Sequence, residues 1–372
     1  PVGKLPDGFD PVAYLAWWKD VRDSGMTAEY HYLTYGYKEN RWPLPGAVVS
    51  SGAWPPPTAK GLHQILRRSG SFFMTGLRTP DGLLLGTYRV NGQAQLLRYD
   101  GALHEELNIT AESVYMIHMT PDGLPICDTE LPAQIFKRTP QRTWEKKWSR
   151  SEPRSLGGEI QTVNNGIAIL TASGSGESGC RILRGDINGN NWSTWMEITG
   201  KNIWTIASDG NSLWLGGFEN DAPVLYDQNQ RLLLRKENAL GCILGYMVVG
   251  DGIWSLGLTP LEDPNREGTR RMAWLNNFDG VHSIDDIELR RPWIMDMLID
   301  PATKMRYALC SIWNETGYPE NAQLLYAPDG RHWQELTLLP MPSAIALTLG
   351  DGGLYIMGGK WNEYGEVYFY KF

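Results

Sequence analysis

One local event recurs from about residue 72 to the C-terminus: a short apolar segment, a turn of the Asp-Gly kind, and a second apolar segment rich in glycine. The turns are Pro80-Asp81-Gly82, Pro121-Asp122-Gly123, Asn164-Asn165-Gly166, Ser208-Asp209-Gly210-Asn211, Gly250-Asp251-Gly252, Asp300-Pro301-Ala302 and Gly350-Asp351-Gly352. Asp-Gly and Asn-Gly supply the positive φ that tight hairpins demand, so each turn is a mechanistic signal for two paired strands. Self-similarity with a period of about 40 to 50 residues marks a stacked or circular repeat. Each hairpin is followed by a third strand, such as Leu96 to Asp100, Val224 to Asp227 or Leu324 to Tyr326. Six of these run through another turn into a fourth strand, and the seventh stops at Phe372. An open seam there would expose a strand edge, which closed folds avoid. Leu62 to Leu66 has the length and apolarity to fill the gap. The expected fold is all-β, a seven-bladed β-propeller over residues 61–372, closed by an N-terminal strand.

Composition agrees. The 372 residues include 41 Gly, 16 Trp and 17 Tyr against 8 Phe, which favours strands, turns and amphipathic aromatic surfaces over a helical core. A net charge of -8 argues against nucleic acid as a partner, because binding a phosphate backbone needs clustered positive charge. No apolar run approaches the roughly 20 residues of a spanning helix. Cys127, Cys180, Cys242 and Cys310 lie far apart and read as buried thiols, which do not settle the compartment. Pro1 is not a natural translational start, as expected of a processed or trimmed chain.

Residues 1–45 do not follow the repeat. Asp10-Pro11 is a helix start, Tyr14, Leu15, Trp17, Trp18 and Val21 form an apolar stripe, and Thr27 caps a second helix ending at Gly36. The expectation is a helical hairpin whose aromatic side docks on the propeller or on a neighbouring subunit, with His31 packed and hydrogen-bonded rather than ligating. Residues 46–60, with Pro55-Pro56-Pro57, read as a stiff extended linker.

Phe9-Asp10-Pro11, Tyr14-Leu15, Asp20-Val21-Arg22, Gly25, His31-Tyr32-Leu33, Tyr35-Gly36 and Glu39-Asn40-Arg41 resemble a short module of bacterial surface-polysaccharide glycosyltransferases and secreted surface proteins. The likeness covers about a tenth of the chain and departs from the pattern at Trp17, Trp18 and Asn40. It implies a bacterial or phage-related origin and an association with surface glycans, and carries no catalytic residue; the expected place is outside the cell or on a cell or virion surface, with the cytoplasm left open. Tyr326 to Trp333, and more loosely Asp186 to Trp192, are similar to the Asp-box and kelch-like hairpins of propellers, where Asp caps the turn and Trp packs between strands.

Tight turns leave little room for chemistry, so function is expected on the opposite face, where loops are longer. Trp313-Asn314-Glu315 and Trp361-Asn362-Glu363-Tyr364 echo one another in adjacent repeats, Phe218-Glu219-Asn220-Asp221 is a weaker echo, and Thr259 to Arg271 is long and charged. An aromatic ring beside an amide and a carboxylate suits a sugar: the ring takes the C-H face and the polar groups take hydroxyls. The same residues also suit a purely structural role, Trp between blades and Asn and Glu capping loops. The expected function is a non-enzymatic module binding a surface polysaccharide or other glycan at Trp313, Asn314, Glu315, Trp361, Asn362, Glu363, Tyr364, Phe218, Glu219 and Asp221, within an adhesin or phage-like particle. Two alternatives use the same face: a glycoside hydrolase drawing its carboxylates from Glu219, Asp221, Glu315 and Glu363, and a scaffold for another protein subunit tethered by the helical module. No nucleophile elbow, P-loop or zinc spacing is present. No cofactor is expected, with calcium left open at Glu219 to Asp221.

Overall fold

The computed structural model describes residues 5, 9, 11–36, 48–51, 54–88, 93–150, 155–156, 159–173, 179–219, 222–235, 242–260, 271–276, 282–285, 292–313, 319–361 and 363–372. Tight turns set the hairpins as the sequence demands. Asn164 and Asn165 stand at φ 46° and 58°, and Asp351 and Gly352 at 51° and 70°, the paired positive values of a type I′ turn.

Two strands, β1 (Val48–Ser51) and β2 (Gly61–Ser69), precede the repeats. The first sheet is β3 (Phe73–Thr79), β4 (Gly82–Thr87), β5 (Ala94–Tyr99) and β6 (Leu103–Ile109). The second is β7 (Ser113–Met119), β8 (Pro125–Glu130), β9 (Gln134–Arg138) and β10 (Trp144–Ser149). In the third, β11 (Ser155–Leu156) and β12 (Ile160–Val163) share one side of β13 (Gly166–Ser173), followed by β14 (Gly179–Asp186) and β15 (Ser193–Thr199). The fourth is β16 (Asn202–Ser208), β17 (Leu213–Glu219), β18 (Ala222–Asp227) and β19 (Leu232–Arg235). The fifth is β20 (Cys242–Gly250), β21 (Ile253–Pro260), β22 (Arg271–Asn276) and β23 (His282–Asp285). The sixth is β24 (Pro292–Ile299), β25 (Arg306–Trp313), β26 (Pro319–Ala327) and β27 (Gln334–Leu339). The last joins β28 (Ser343–Gly350), β29 (Gly353–Lys360) and β30 (Tyr364–Lys371) to β2 and β1.

The first strands of successive sheets neighbour one another in a closed circuit, β3 beside β7, then β12, β16, β20, β24, β28 and back to β3. The chain is therefore an all-β propeller with a small helical part at its N-terminus. β2 pairs antiparallel with β30 from Gly61↔Lys371 to Ser69↔Tyr364, so the N-terminal segment supplies the last sheet's outer strand. It is longer than the Leu62 to Leu66 expected. The linker expected over 46–60 needs correction, since Val48–Ser51 pairs with β2. Trp54, beyond it, packs edge-on against Tyr99 with ring centres 5.5 Å apart.

Apolar residues fill the space between sheets. Phe73, Leu83 and Leu85 of the first sheet meet Tyr355, Met357, Val367 and Phe369 of the last, with Ile65 and Leu66 of β2 in the same fully buried cluster. The hairpin-turn face is stitched by ion pairs between neighbouring sheets, Arg78 to Asp351 at 2.6 Å and Arg138 to Asp81 at 2.9 Å. The Arg138 guanidinium and the Thr79 hydroxyl outweigh partial burial and hold the Asp81 carboxyl down at about 2. The box-like turns are structural. Asp329 accepts the amides of Arg331 and His332 at 2.9 Å while Trp333 is buried, and Asp186 caps its own turn in the same way. Cys127, Cys180 and Cys310 are free and buried; the side chain of Cys242 lies outside the described residues.

The helical module is α1 (Pro11–Trp17), α2 (Lys19–Asp23), α3 (Ala28–His31) and a π-helical turn over Tyr32–Gly36. The Thr27 hydroxyl accepts the Tyr30 amide, an N-cap. Tyr14, Leu15, Trp18 and Val21 of the expected stripe pack with Ala28 and Tyr32 in a core of the module's own, because three short helices folded on one another can cover those rings. His31 is buried and hydrogen-bonded to the Tyr14 hydroxyl at 3.0 Å.

Candidate functional site

An innermost propeller strand has sheet on one side only, and its alternating side chains pack against the sheets before and after it. Its free edge faces the axis, so a side chain reaches the axis where the alternation breaks. β-Bulges break it here. An extra residue enters β3 between Phe73 and Thr75, β7 between Val114 and Met116, β16 between Ile203 and Thr205, β20 between Leu244 and Tyr246, β24 between Ile294 and Asp296, and β28 between Ala344 and Ala346. A bulge twists the strand and re-aims a side chain. The extra residues are Met74, Tyr115, Trp204, Gly245, Met295 and Ile345, and four of them, Met74, Tyr115, Met295 and Ile345, line one axial cavity of about 650 Å³.

The cavity wall is rich in sulfur. Met74, Met116, Met119, Met247, Met295 and Met297 line it, half of the chain's 12 methionines. Trp361 lines it too, from the loop after β29. Trp204, at the bulge of β16, is 57% exposed. Thioethers and aromatic rings together make an adaptable apolar surface.

Polar groups reach the same space. Tyr115 and Tyr246, from the second and fifth sheets, hydrogen-bond through their hydroxyls. The pair thus joins two sheets that are not neighbours in the circuit, and both residues line the cavity. Glu159, just before β12, accepts the Thr205 hydroxyl at 2.8 Å and the Ile206 amide at 2.6 Å, tying the third sheet to the fourth. Asp296 accepts the Met297 amide at 2.8 Å and the Leu347 amide at 2.7 Å, tying the sixth to the seventh. His118 bonds Thr162 at 2.9 Å between the second and third. Edge amides facing the axis need acceptors, and these carboxyls supply them. Burial pushes the Glu159 carboxyl up to about 8 and that of Asp296 to about 7, and drops the His118 imidazole to about 4.

A pH dependence follows. A carboxyl whose folded pKa exceeds its unfolded value near 4 favours the folded state most fully below that lower value. That contribution is lost as pH rises through about 7 to 8, the folded values of Asp296 and Glu159. Stability against urea should therefore fall between about pH 5 and pH 8. In Asp296→Asn the fall should be shallower; an identical slope in both proteins would rule out this carboxyl as a source.

The residues expected from sequence fall in several places. Trp361 stacks on Phe72 with ring centres 4.1 Å apart and planes within 11°, meets Tyr88 edge-on at 5.0 Å, and is 38% exposed. One face of the indole is thus covered by the first sheet, as inter-blade packing requires, while the residue borders the cavity. Glu363 pairs with Lys360 at 2.5 Å, and the Arg67 guanidinium lies 3.8 Å over the Tyr364 ring. Glu219 accepts the Tyr226 hydroxyl at 3.0 Å and pairs with Arg235 at 3.2 Å, in the same fourth-sheet hairpin as Phe218. Asn314, Glu315, Asn362, Asp221 and the side chain of Trp313 lie outside the described residues. Glu159, Asp296, Tyr115, Tyr246 and the channel methionines were not singled out by sequence. A signal was there, since Asp296 interrupts the apolar run Trp293 to Ile299.

No family model matches the chain, and no curated protein does. Solved structures do. Virginiamycin B lyase from Staphylococcus aureus aligns over 84% of this chain and 99% of its own at TM-score 0.56 and 13% identity. YCF48 bound to D1 peptide aligns over 87% of this chain and 100% of its own at 0.55 and 14%. A chain of the mitotic checkpoint complex aligns over 80% of this chain and 90% of its own at 0.56 and 12%. At these identities the likeness carries the fold alone.

Proposed function

We propose that this chain is a recognition module, a seven-bladed ring closed by β2, whose site is the axial channel and whose ligand is a segment of another protein. The observation that carries the reading is the convergence of six methionines with Tyr115, Tyr246 and Trp361 on one cavity. Such a wall rewards an apolar side chain and adapts to its shape. YCF48, solved with a D1 peptide, and the mitotic checkpoint complex are consistent with propellers serving protein partners. A surface glycan at the Trp361 loop is the competing occupant, and the covered face of Trp361 weighs against a flat sugar platform there. For the N-terminal hairpin we propose a tether. Its resemblance to surface-polysaccharide modules supports a setting at a cell or virion surface.

Peptide and glycan arrays probed with the intact chain and with Trp361→Ala separate the occupants. Peptide binding should weaken by about tenfold in the variant. The stability cost should be about 1 to 2 kcal/mol, below the 3 to 5 of a wholly buried ring. Glycan binding lost in the variant would favour the sugar, and binding of either kind left unchanged would move the site away from this loop.

A further inference from the structure

We infer that the side chain entering the channel is positively charged at its tip, a lysine-like ammonium on an apolar stem, seated beside Glu159, Asp296 and the Tyr115–Tyr246 pair. The inference rests on the channel being the ligand site and names what that ligand must carry.

Charge balance is the first argument. Among the described residues lining the cavity there are two carboxyls and no Lys or Arg. His118, the one imidazole on this wall, is held neutral by burial. Capacity is the second. Each Asp296 oxygen accepts one backbone amide, and a carboxylate can accept about four hydrogen bonds, so both oxygens keep acceptor sites. The third is the wall itself, where thioethers suit a four-carbon stem and tyrosine rings favour a cation at its tip. A neutral apolar side chain would use the wall but not the acceptor sites that remain on the carboxyls beyond their amide and hydroxyl partners.

The groups that titrate or carry charge around this point are Glu159, Asp296, Tyr115 and Tyr246, with Asp128 and Glu130 behind Tyr115 and His118 on the same strand. Burial keeps Glu159 and Asp296 protonated up to about 8 and about 7. An arriving ammonium replaces a proton, so its affinity should rise through that range, whereas that of an uncharged isostere should not.

The probes are N-acetyl-lysine methylamide and its norleucine counterpart, titrated into the full chain with ¹³C-methyl-labelled methionine. At about pH 8 the lysine probe should shift the channel methionine methyls with about tenfold higher affinity than norleucine, and at about pH 5 the preference should shrink to about twofold or less. Asp296→Asn and Glu159→Gln should each reduce the preference at pH 8, and if either fails to fold, the pH comparison on the unaltered chain decides. Equal binding of both probes would overturn the cation while leaving the channel as the site. No shift with either probe would overturn both.

Discussion

Deleting residues 61–67 should cost the ring on the order of 5 kcal/mol or more, since Ile65 and Leu66 are wholly buried and each such loss is worth about 2 to 5. The deletion also strips β30 of its partner along most of its length, leaving an open edge over Val367 and Phe369. Deleting residues 1–45 should have a far smaller effect. The hairpin closes its core on Tyr14, Val21, Ala28 and Tyr32, and β1 and β2 stay in place. Chemical denaturation followed by fluorescence and by circular dichroism gives both numbers, two probes being needed because a repeat ring can unfold in parts. Equal midpoints for the two truncations and the intact chain would mean that the β2 and β30 pairing holds nothing together.

Gly217→Ala should be nearly as damaging for a change of one methyl group. A Cβ there would stand 1.9 Å from the Asn202 carbonyl oxygen, and one on Gly358 would stand 2.0 Å from the Ser343 oxygen. Both oxygens belong to backbone beside an inner-strand bulge, which cannot swing aside as a side chain does. We expect each alanine to cost about 3 kcal/mol or more, at the upper end of overpacking. Gly123→Ala is the control: its φ of 77° is strained for alanine but nothing lies within 4 Å, so about 1 kcal/mol is expected. Equal denaturation midpoints for Gly217→Ala and Gly123→Ala would contradict the close approach.

These glycines show how far the sequence reads. The glycine-rich second strand of each repeat was visible, and with the Asp-Gly turns it was enough to expect a propeller, because both are local signals. The reason for the glycines was not visible. It is a bulge in the partner strand, and a bulge exists only once two strands are in register. The strand Val48–Ser51 was hidden for a similar reason, since prolines on both sides give it the look of a linker. His31 was legible as a packed residue because no second ligand stands near it in sequence. The Trp-Asn-Glu echo was legible as well, but Tyr115, Glu159, Tyr246 and Asp296 are one or two repeats apart and meet only when the circuit closes. No window along the chain contains two of them.

The central claim is that a ligand enters the axial channel. Methyl spectra of methionine-labelled chain, recorded with and without a peptide selected on the array, test it directly. The account predicts shifts at Met74, Met119 and Met295, which line the cavity, and none at Met196, which is buried in a cluster that contributes no residue to its wall. Shifts confined to methionines outside the channel, with the cavity methyls unmoved at saturating peptide, would contradict it.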